Sequence, residues 1–213
     1  TPPIALRGYN DDLGSFDDSP RGNLEIWIPP DWQDNYIIGA DVALGVKQDY
    51  STAIVMNTKG HICAMYRDNT VDPTLYGEHL FYLGRYFNNA LLAVESNSMG
   101  VATLQRLKQM SYVNMYYETK AARLSSEEGQ TPGFRMTHGS KPRVIGQLKN
   151  AVEEGKMKIF TDKNKFKNYF AENYIIQSII HVKLRLKEGI KIDDGIAVKI
   201  IYLSPLKIVV EEV

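Results

Sequence analysis

The hydrophobic positions of this chain fall first into three short, closely spaced runs. Tyr36–Ala40, Ser51–Asn57 and His61–Arg67 are rich in apolar and β-branched residues and are too short for helices, so we expect strands. Thr58-Lys59-Gly60 has the composition of a tight turn, which predicts an antiparallel hairpin of the second and third strands. We expect the loop at Ala43–Tyr50 to join the first two strands in antiparallel pairing as well.

The pattern then changes to a helical period. Asp72-Pro73 is a typical helix start, and apolar residues recur at helical spacing to about Asn88. Leu91–Glu95 is a continuous apolar run of the kind that parallel sheets bury, and it ends in a carboxylate. A second helix is expected at about Gly100–Met110 and a further short strand at Val113–Tyr117.

The predicted order is therefore β-β-β-α-β-α-β, which suits an α/β fold with a mixed five-stranded central sheet flanked by helices. The first strand is expected at the centre of the sheet, with the fourth beside it in parallel. Asp41 and Glu95 would then lie side by side at the carboxyl ends of neighbouring strands, where open α/β sheets place their sites. Two such carboxylates repel each other unless a cation lies between them, and hard oxygen ligands suit Mg²⁺ or Mn²⁺.

The 213 residues, 44% of them hydrophobic, are enough for one domain with a substantial core. Residues 1–22 are rich in Gly, Pro, Asp and Ser and are expected to be a flexible lead-in or a linker from an upstream domain, and residues 23–213 to form the domain. Lys141–Glu154 is predicted as an amphipathic helix. Val182–Leu186 alternates strictly and precedes Glu188-Gly189, which predicts a C-terminal β-hairpin or extra-strand insertion.

Charge and composition exclude only a few classes of function. The 25 basic and 25 acidic side chains cancel, but residues 1–50 are acidic and residues 134–170 are basic. Such zones can bind a metal and a polyanion, or can simply be two solvated faces. The single cysteine, Cys63, excludes disulfide scaffolds and cysteine zinc sites. The four histidines lack metal-ligand spacing, and no run approaches the ~18 apolar residues of a membrane span.

Four segments resemble one known family. They are GADVALGVKQDYSTAIV, LLAVESNSMGVATLQRL, TPGFRMTHGSKPRVIGQLKNAVEEG and the late IDDGIAVKII. Together, from about Tyr36 to Tyr202, they resemble the nuclease domain of the large terminase subunit of tailed bacteriophages. This family belongs to the RNase H-like (retroviral integrase-like) superfamily, so an RNase H-like sheet is implied. In the family the late motif is usually His-Asp-Asp, whereas Ile192 stands at the histidine position here.

The resemblance implies a metal-dependent endonuclease that cuts concatemeric viral DNA at the start and end of genome packaging. Carried over by motif, the catalytic metal ligands are Asp41, Glu95 and one of Asp193 or Asp194. Two Mg²⁺ or Mn²⁺ ions bridged by Asp41 would hold the scissile phosphate for hydrolysis. Asp49 would support the ligands or approach the DNA. The residues expected to grip phosphates of double-stranded DNA, with little sequence specificity, are Lys141, Arg143, Lys163, Lys165 and Lys167.

Family members also carry an upstream ATPase domain and work with a small terminase subunit and a portal protein, in the cytoplasm of the infected bacterium and not in a membrane. No phosphate-binding Gly-x-x-x-x-Gly-Lys-Ser/Thr motif occurs in this chain, which is expected to be the nuclease domain alone. Three other interpretations stay open: a Holliday-junction resolvase of the same superfamily, a sugar-kinase-type phosphotransferase, and a non-catalytic DNA-docking module. Each acid also has a plainer interpretation, Asp41 and Glu95 as turn or helix caps and Asp193-Asp194-Gly195 as an ordinary turn.

Overall fold

The computed structural model describes residues 2–96, 98–119 and 130–158. Nine strands and three helices are formed within these ranges. In chain order they are β1 (Ala5–Asn10), β2 (Ser15–Asp18), β3 (Leu24–Ile26), β4 (Tyr36–Asp41), β5 (Ser51–Asn57), β6 (Ile62–Asp68), α1 (Pro73–Tyr86), β7 (Leu91–Val94), α2 (Gly100–Gln109), β8 (Tyr117–Thr119), β9 (Gln130–Pro132) and α3 (Lys141–Glu153).

The main sheet confirms the arrangement expected around the first apolar run. Its strand order is β2-β1-β3-β6-β5-β4-β7. β4 pairs antiparallel with β5 and parallel with β7, so the strand that ends in Asp41 lies beside the strand that precedes Glu95. β5 and β6 form the predicted hairpin across residues 58–61, with a register shift between Val55 and Met56.

Helix α1 covers one face of this sheet. Its start is set by Asp72, whose carboxylate accepts hydrogen bonds from the backbone N–H groups of Thr74 and Leu75 at 2.8 and 3.2 Å. The helix buries Tyr76, Leu80 and Leu83 against the alternate residues of β4, β5 and β7. The Tyr76 hydroxyl donates to the carbonyl oxygen of Thr52 at 2.6 Å, which ties α1 to β5 at the level of Asp41.

Helix α2 packs on α1. The Thr103 hydroxyl donates to the carbonyl oxygen of Pro73 at 2.7 Å, and the Arg106 guanidinium contacts the Glu78 carboxylate at 2.7 Å. Gly77 allows the close approach, because a Cβ at this position would lie 2.8 Å from the Cβ of Arg106. The two helices therefore form one layer behind the sheet.

The expectation of a flexible lead-in at residues 1–22 is wrong for most of that stretch, because β1 and β2 extend the sheet beyond β3. Asp11, Asp12 and Gly14 form the turn between the two strands, and Pro20 lies in the turn after β2. Backbone pairing of β1 with β3 and the rings of Tyr9 and Phe16 hold this hairpin in place. The two rings contact each other, and the Tyr9 ring also lies against His79 of α1, tilted by 37° with ring centroids 3.8 Å apart. Within the described residues the central sheet has seven strands instead of the expected five: β4 to β7 were expected, and β1 to β3 are additional.

The fifth strand expected at Val113–Tyr117 is reduced to a short bridge. Its residues run parallel to β7, where the N–H of Leu92 donates to Asn114 and the N–H of Tyr116 donates to Leu92. The regular strand β8 begins only at Tyr117 and pairs with β9 in a separate two-stranded sheet. α3 is close to its predicted bounds. The predicted hairpin at Val182–Leu186 lies outside the described residues, and within them no helix is long and apolar enough to cross a membrane.

Candidate active site

The register of β4 and β7 brings the two predicted carboxylates together. Gly39 pairs with Ala93 and Ala40 with Val94, so the next residues along the two parallel strands are Asp41 and Glu95. The N–H of Glu95 donates to the carbonyl oxygen of Ala40 at 2.8 Å, which continues the pairing to this level. Both carboxylates therefore lie at the carboxyl ends of adjacent parallel strands, as the sequence predicts.

Alternation along the strands fixes which face the acids occupy. Ile38 and Ala40 of β4, with Leu92 and Val94 of β7, belong to the core that α1 covers. Side chains one position further point to the other face of a strand. The two acids thus lie on the face of the sheet opposite to α1.

The two carboxyl groups share a hydrogen bond, and the pKa of each is raised. Burial is the main cause for both. The charge of Asp49 raises the pKa of Asp41 further, whereas hydrogen bonds from Glu95 and from the N–H of Val42, the latter at 2.9 Å, oppose the rise. For Glu95 the second cause is the negative charge of Asp41, and the ammonium group of Lys141 partly opposes it. Since the pKa of Glu95 is raised to about 8, this carboxyl group favours its protonated form at neutral pH, where a separate carboxylate is ionised.

A cleft of about 310 Å³ opens above the pair. Its wall consists of both acids, Met99 from the turn before α2, and most of the loop between β4 and β5. The lining residues are Asp41, Val42, Ala43, Leu44, Val46, Gln48, Asp49, Tyr50, Glu95 and Met99. Among the described residues of this lining, none carries a positive charge.

Thr52 is a residue of the site that the sequence analysis missed. It is the cross-strand partner of Asp41, so its side chain lies on the same face beside the carboxylate. The side chain is fully buried, and within the described part of the chain its hydroxyl has no hydrogen-bond partner. The antiparallel pairing expected between the first two strands would have pointed to this position once the register was known.

The other predicted site residues are placed as follows. Asp49 lies exposed at the rim of the cleft, close enough to raise the pKa of Asp41. Lys141 and Arg143 lie in the first turn of α3, and Lys141 is close enough to Glu95 to act on its pKa. The remaining predictions lie outside the described residues: Asp193, Asp194, Lys163, Lys165 and Lys167.

The donors present fit a divalent cation. The two carboxylates repel each other unless they share a proton, and a cation can take the place of that proton. Their oxygens are the ligands that Mg²⁺ and Mn²⁺ prefer. Asp49 adds negative potential from the rim. No group of three or more His, Cys, Asp or Glu side chains suited to a metal is found among residues 2–96, 98–119 and 130–158, so the described part of the chain supplies an incomplete ligand set.

The strand order, the parallel β4–β7 pair and the acids at its end define an RNase H-like α/β fold. The same fold is found in the large terminase nuclease of thermophilic phage G20c. Its zinc-bound crystal structure matches with a TM-score of 0.56 and 19% identity over 83% of this chain and 91% of that one. The magnesium-bound structure of that nuclease gives 0.53 and 19% over 76% and 71% of the two chains.

The large terminase nuclease domain of Thermus phage P74-26 is also similar, with a TM-score of 0.52 and 17% identity over 83% of this chain and 88% of that one. No protein-family model matches the sequence, and no curated protein is significantly similar to it. At these identities the likeness is one of fold, and at that level it confirms the resemblance drawn from the sequence motifs.

Proposed function

We propose that this protein is a divalent-metal-dependent endodeoxyribonuclease that cuts concatemeric viral DNA during genome packaging in the cytoplasm of an infected bacterium. The observation that carries the proposal is the Asp41–Glu95 pair, a half-buried and a buried carboxyl group that share a hydrogen bond and line one cleft. The fold shared with large terminase nucleases, one of them with bound magnesium, supports the reaction class.

In this proposal Asp41 and Glu95 bind Mg²⁺ or Mn²⁺, with Asp193 or Asp194 completing the ligands for two ions. Bound ions would polarise the scissile phosphate and lower the pKa of water. The N–H of Val42 holds the Asp41 carboxylate in place at 2.9 Å, so one of its oxygens is oriented before the substrate arrives. Asp49 raises the negative potential at the rim and favours entry of a cation.

The substrate would be held mainly through its phosphates. Lys141 lies near enough to Glu95 to lower its pKa and would attract a phosphate towards the acids. Arg143 follows on the same helical turn, and Lys163, Lys165 and Lys167 would extend the basic surface. Contacts of this kind are independent of base sequence and are weakened by salt. An upstream ATPase domain, a small terminase subunit and a portal protein are the proposed partners.

The test is cleavage of supercoiled plasmid with Mg²⁺, Mn²⁺ or EDTA. We expect the wild-type protein to nick and linearise the plasmid with a divalent metal only, and Asp41→Asn to abolish both products. Asp12→Asn, an exposed acid in the β1–β2 turn, is the matched control and should cut like wild type. Calorimetric titration with Mg²⁺ or Mn²⁺ gives a readout besides activity, because Asp41→Asn should weaken binding of the metal itself.

Two outcomes would contradict the proposal. One is cutting that persists in EDTA or in the Asp41→Asn variant. The other is a folded wild-type protein that cuts no DNA with either metal. A strong preference for four-way junctions over plain duplex would instead favour the resolvase interpretation.

A further inference from the structure

The loop between β4 and β5 carries two aliphatic side chains that the proposed chemistry does not use. Residues 42–50 form this rim loop, and Leu44 and Val46 within it are 54% and 57% exposed. Both line the same cleft as Asp41 and Glu95. They are therefore the apolar groups that a molecule reaching the two carboxylates meets at the entrance.

The rim loop is fixed at several points, so the position of the two side chains is built in. Gly45, between them, has φ +74° and lies so close to the neighbouring segment that a Cβ would be 2.4 Å from the carbonyl oxygen of Val71. The N–H of Lys47 donates to the carbonyl oxygen of Asn69 at 2.9 Å. At the base of the loop the N–H of Ala43 donates to the hydroxyl of Ser51 at 3.0 Å.

The chemistry of the wall limits what can lie against it. The described lining combines aliphatic and aromatic side chains with carboxylates and holds no cation. No side chain of this lining attracts a phosphate by charge, and only the amide of Gln48 and the hydroxyl of Tyr50 can donate a hydrogen bond to one. An uncharged, partly apolar surface gains by covering Leu44 and Val46.

We propose that Leu44 and Val46 pack against the deoxyribose and base edge of the nucleotides next to the phosphate held at Asp41 and Glu95. This inference rests on the proposed nuclease function and adds a contact that is independent of charge. Proteins that bind the minor groove frequently insert apolar side chains between base steps, which shows that such contacts with DNA are favourable. The rim loop would thus position the strand for cutting, while Lys141 and the other basic residues supply the phosphate contacts.

The proposed apolar contact can be distinguished from a phosphate contact by how the DNA affinity of each variant depends on salt. A lost apolar contact lowers affinity at every salt concentration and leaves the slope of log K against log [salt] unchanged, whereas a lost phosphate contact makes the slope shallower by about one. Covering half of a leucine side chain corresponds to a change in affinity of about threefold to tenfold.

The experiment measures fluorescence anisotropy of a labelled 30-base-pair duplex with the full chain over a series of salt concentrations. It is done in EDTA and in Ca²⁺, a hard cation that carboxylates bind, with intact DNA verified on a gel. The variants are Leu44→Asn and the isosteric Val46→Thr. Leu13→Asn is the matched control, because Leu13 is 71% exposed in the β1–β2 turn, and Lys141→Ala is the contrast for a phosphate contact. Circular dichroism melting establishes that each variant is folded.

We expect Leu44→Asn and Val46→Thr to weaken binding about threefold to tenfold with an unchanged salt slope, and Leu13→Asn to bind like wild type. Affinities equal to that of Leu13→Asn would overturn the inference and leave the nuclease proposal standing. So would a changed salt slope, or a changed oligomeric state in sedimentation with unchanged DNA affinity, which would assign the two residues to a protein contact. A folded wild-type protein that binds no DNA in either buffer would overturn both proposals.

Discussion

The aromatic cluster that pins β1 and β2 to α1 makes stability depend on pH through His79. This residue is 6% exposed, its Nδ1 lies 2.7 Å from the hydroxyl oxygen of Tyr66, and its ring lies against that of Tyr9. Burial lowers the pKa of His79 to about 4, against the opposing effect of nearby carboxylates. Those carboxylates belong to Asp11, Asp68, Glu78 and Asp72.

The sign and size of the effect follow from proton linkage. An unfolded histidine takes up its proton near pH 6.5, whereas folded His79 stays neutral until about pH 4. Between these values the unfolded state binds more protons, so stability falls as the pH falls. At about 1.4 kcal/mol for each pH unit between the two pKa values, the contribution reaches about 3 kcal/mol at pH 4.

The assay is urea unfolding at several pH values from 7 to 4.5, comparing wild type with His79→Phe. Phenylalanine fills the ring site and binds no proton, so the free-energy difference between the two proteins should shift in favour of the variant as the pH falls. Taking the difference removes the contribution of every group that titrates alike in both. His138→Gln, at an exposed position, is the control and should follow wild type. Parallel curves for wild type and His79→Phe would refute the reasoning.

Two pairs of substitutions test how closely the helices pack and whether the buried hydroxyl of Thr52 is a cost to stability. Gly84→Ala should cost about 1–3 kcal/mol, because its Cβ would lie 2.2 Å from the hydroxyl oxygen of Tyr112, whereas Gly146→Ala on α3 has open space and should gain up to about 1 kcal/mol. Similar melting temperatures for these two variants would contradict this. Thr52→Val should raise the free energy of unfolding by about 1 kcal/mol, because it removes a buried hydroxyl with no partner among the described residues, while Thr103→Val loses a 2.7 Å hydrogen bond and should lower it by a similar amount. Urea unfolding that shows equal losses for both threonine variants would contradict the second pair.

The sequence predicted those parts of the fold in which local pattern and tertiary packing agree. The runs at Tyr36, Ser51 and Leu91 are apolar on both faces, and the Asp72-Pro73 start has its own capping chemistry, so their strands and helix appear within a residue or two of the expected bounds. The order of strands then sufficed to place the two acids together. The parts predicted correctly are thus the buried ones.

The failures have a common physical cause, because short elements are held by contacts that are distant in sequence. β1 and β2 are held partly by the rings of Tyr9 and Phe16, which pack towards α1. Two aromatic residues in a stretch rich in turn residues are too weak a pattern to predict strands. The bridge near Met115 is short because a second segment, at Phe134, also pairs beside β7. Of the rim loop the sequence analysis named only Asp49 as a site residue, since nothing local marks Leu44 or Val46 as cleft residues.

The placement of the two acids is set by the core on the opposite face of the sheet. Leu92 and Val94 are buried under α1, and full burial of such side chains contributes about 1.5–3 kcal/mol each. A slip of β7 by one residue would turn both away from α1 and would move Glu95 to the α1 face. The core therefore selects the register in which Asp41 and Glu95 lie together, although their contact raises the pKa of each. Apolar packing thus holds two carboxylates at a distance that only a shared proton or a cation makes favourable, and this strained pair is what the proposed nuclease would use.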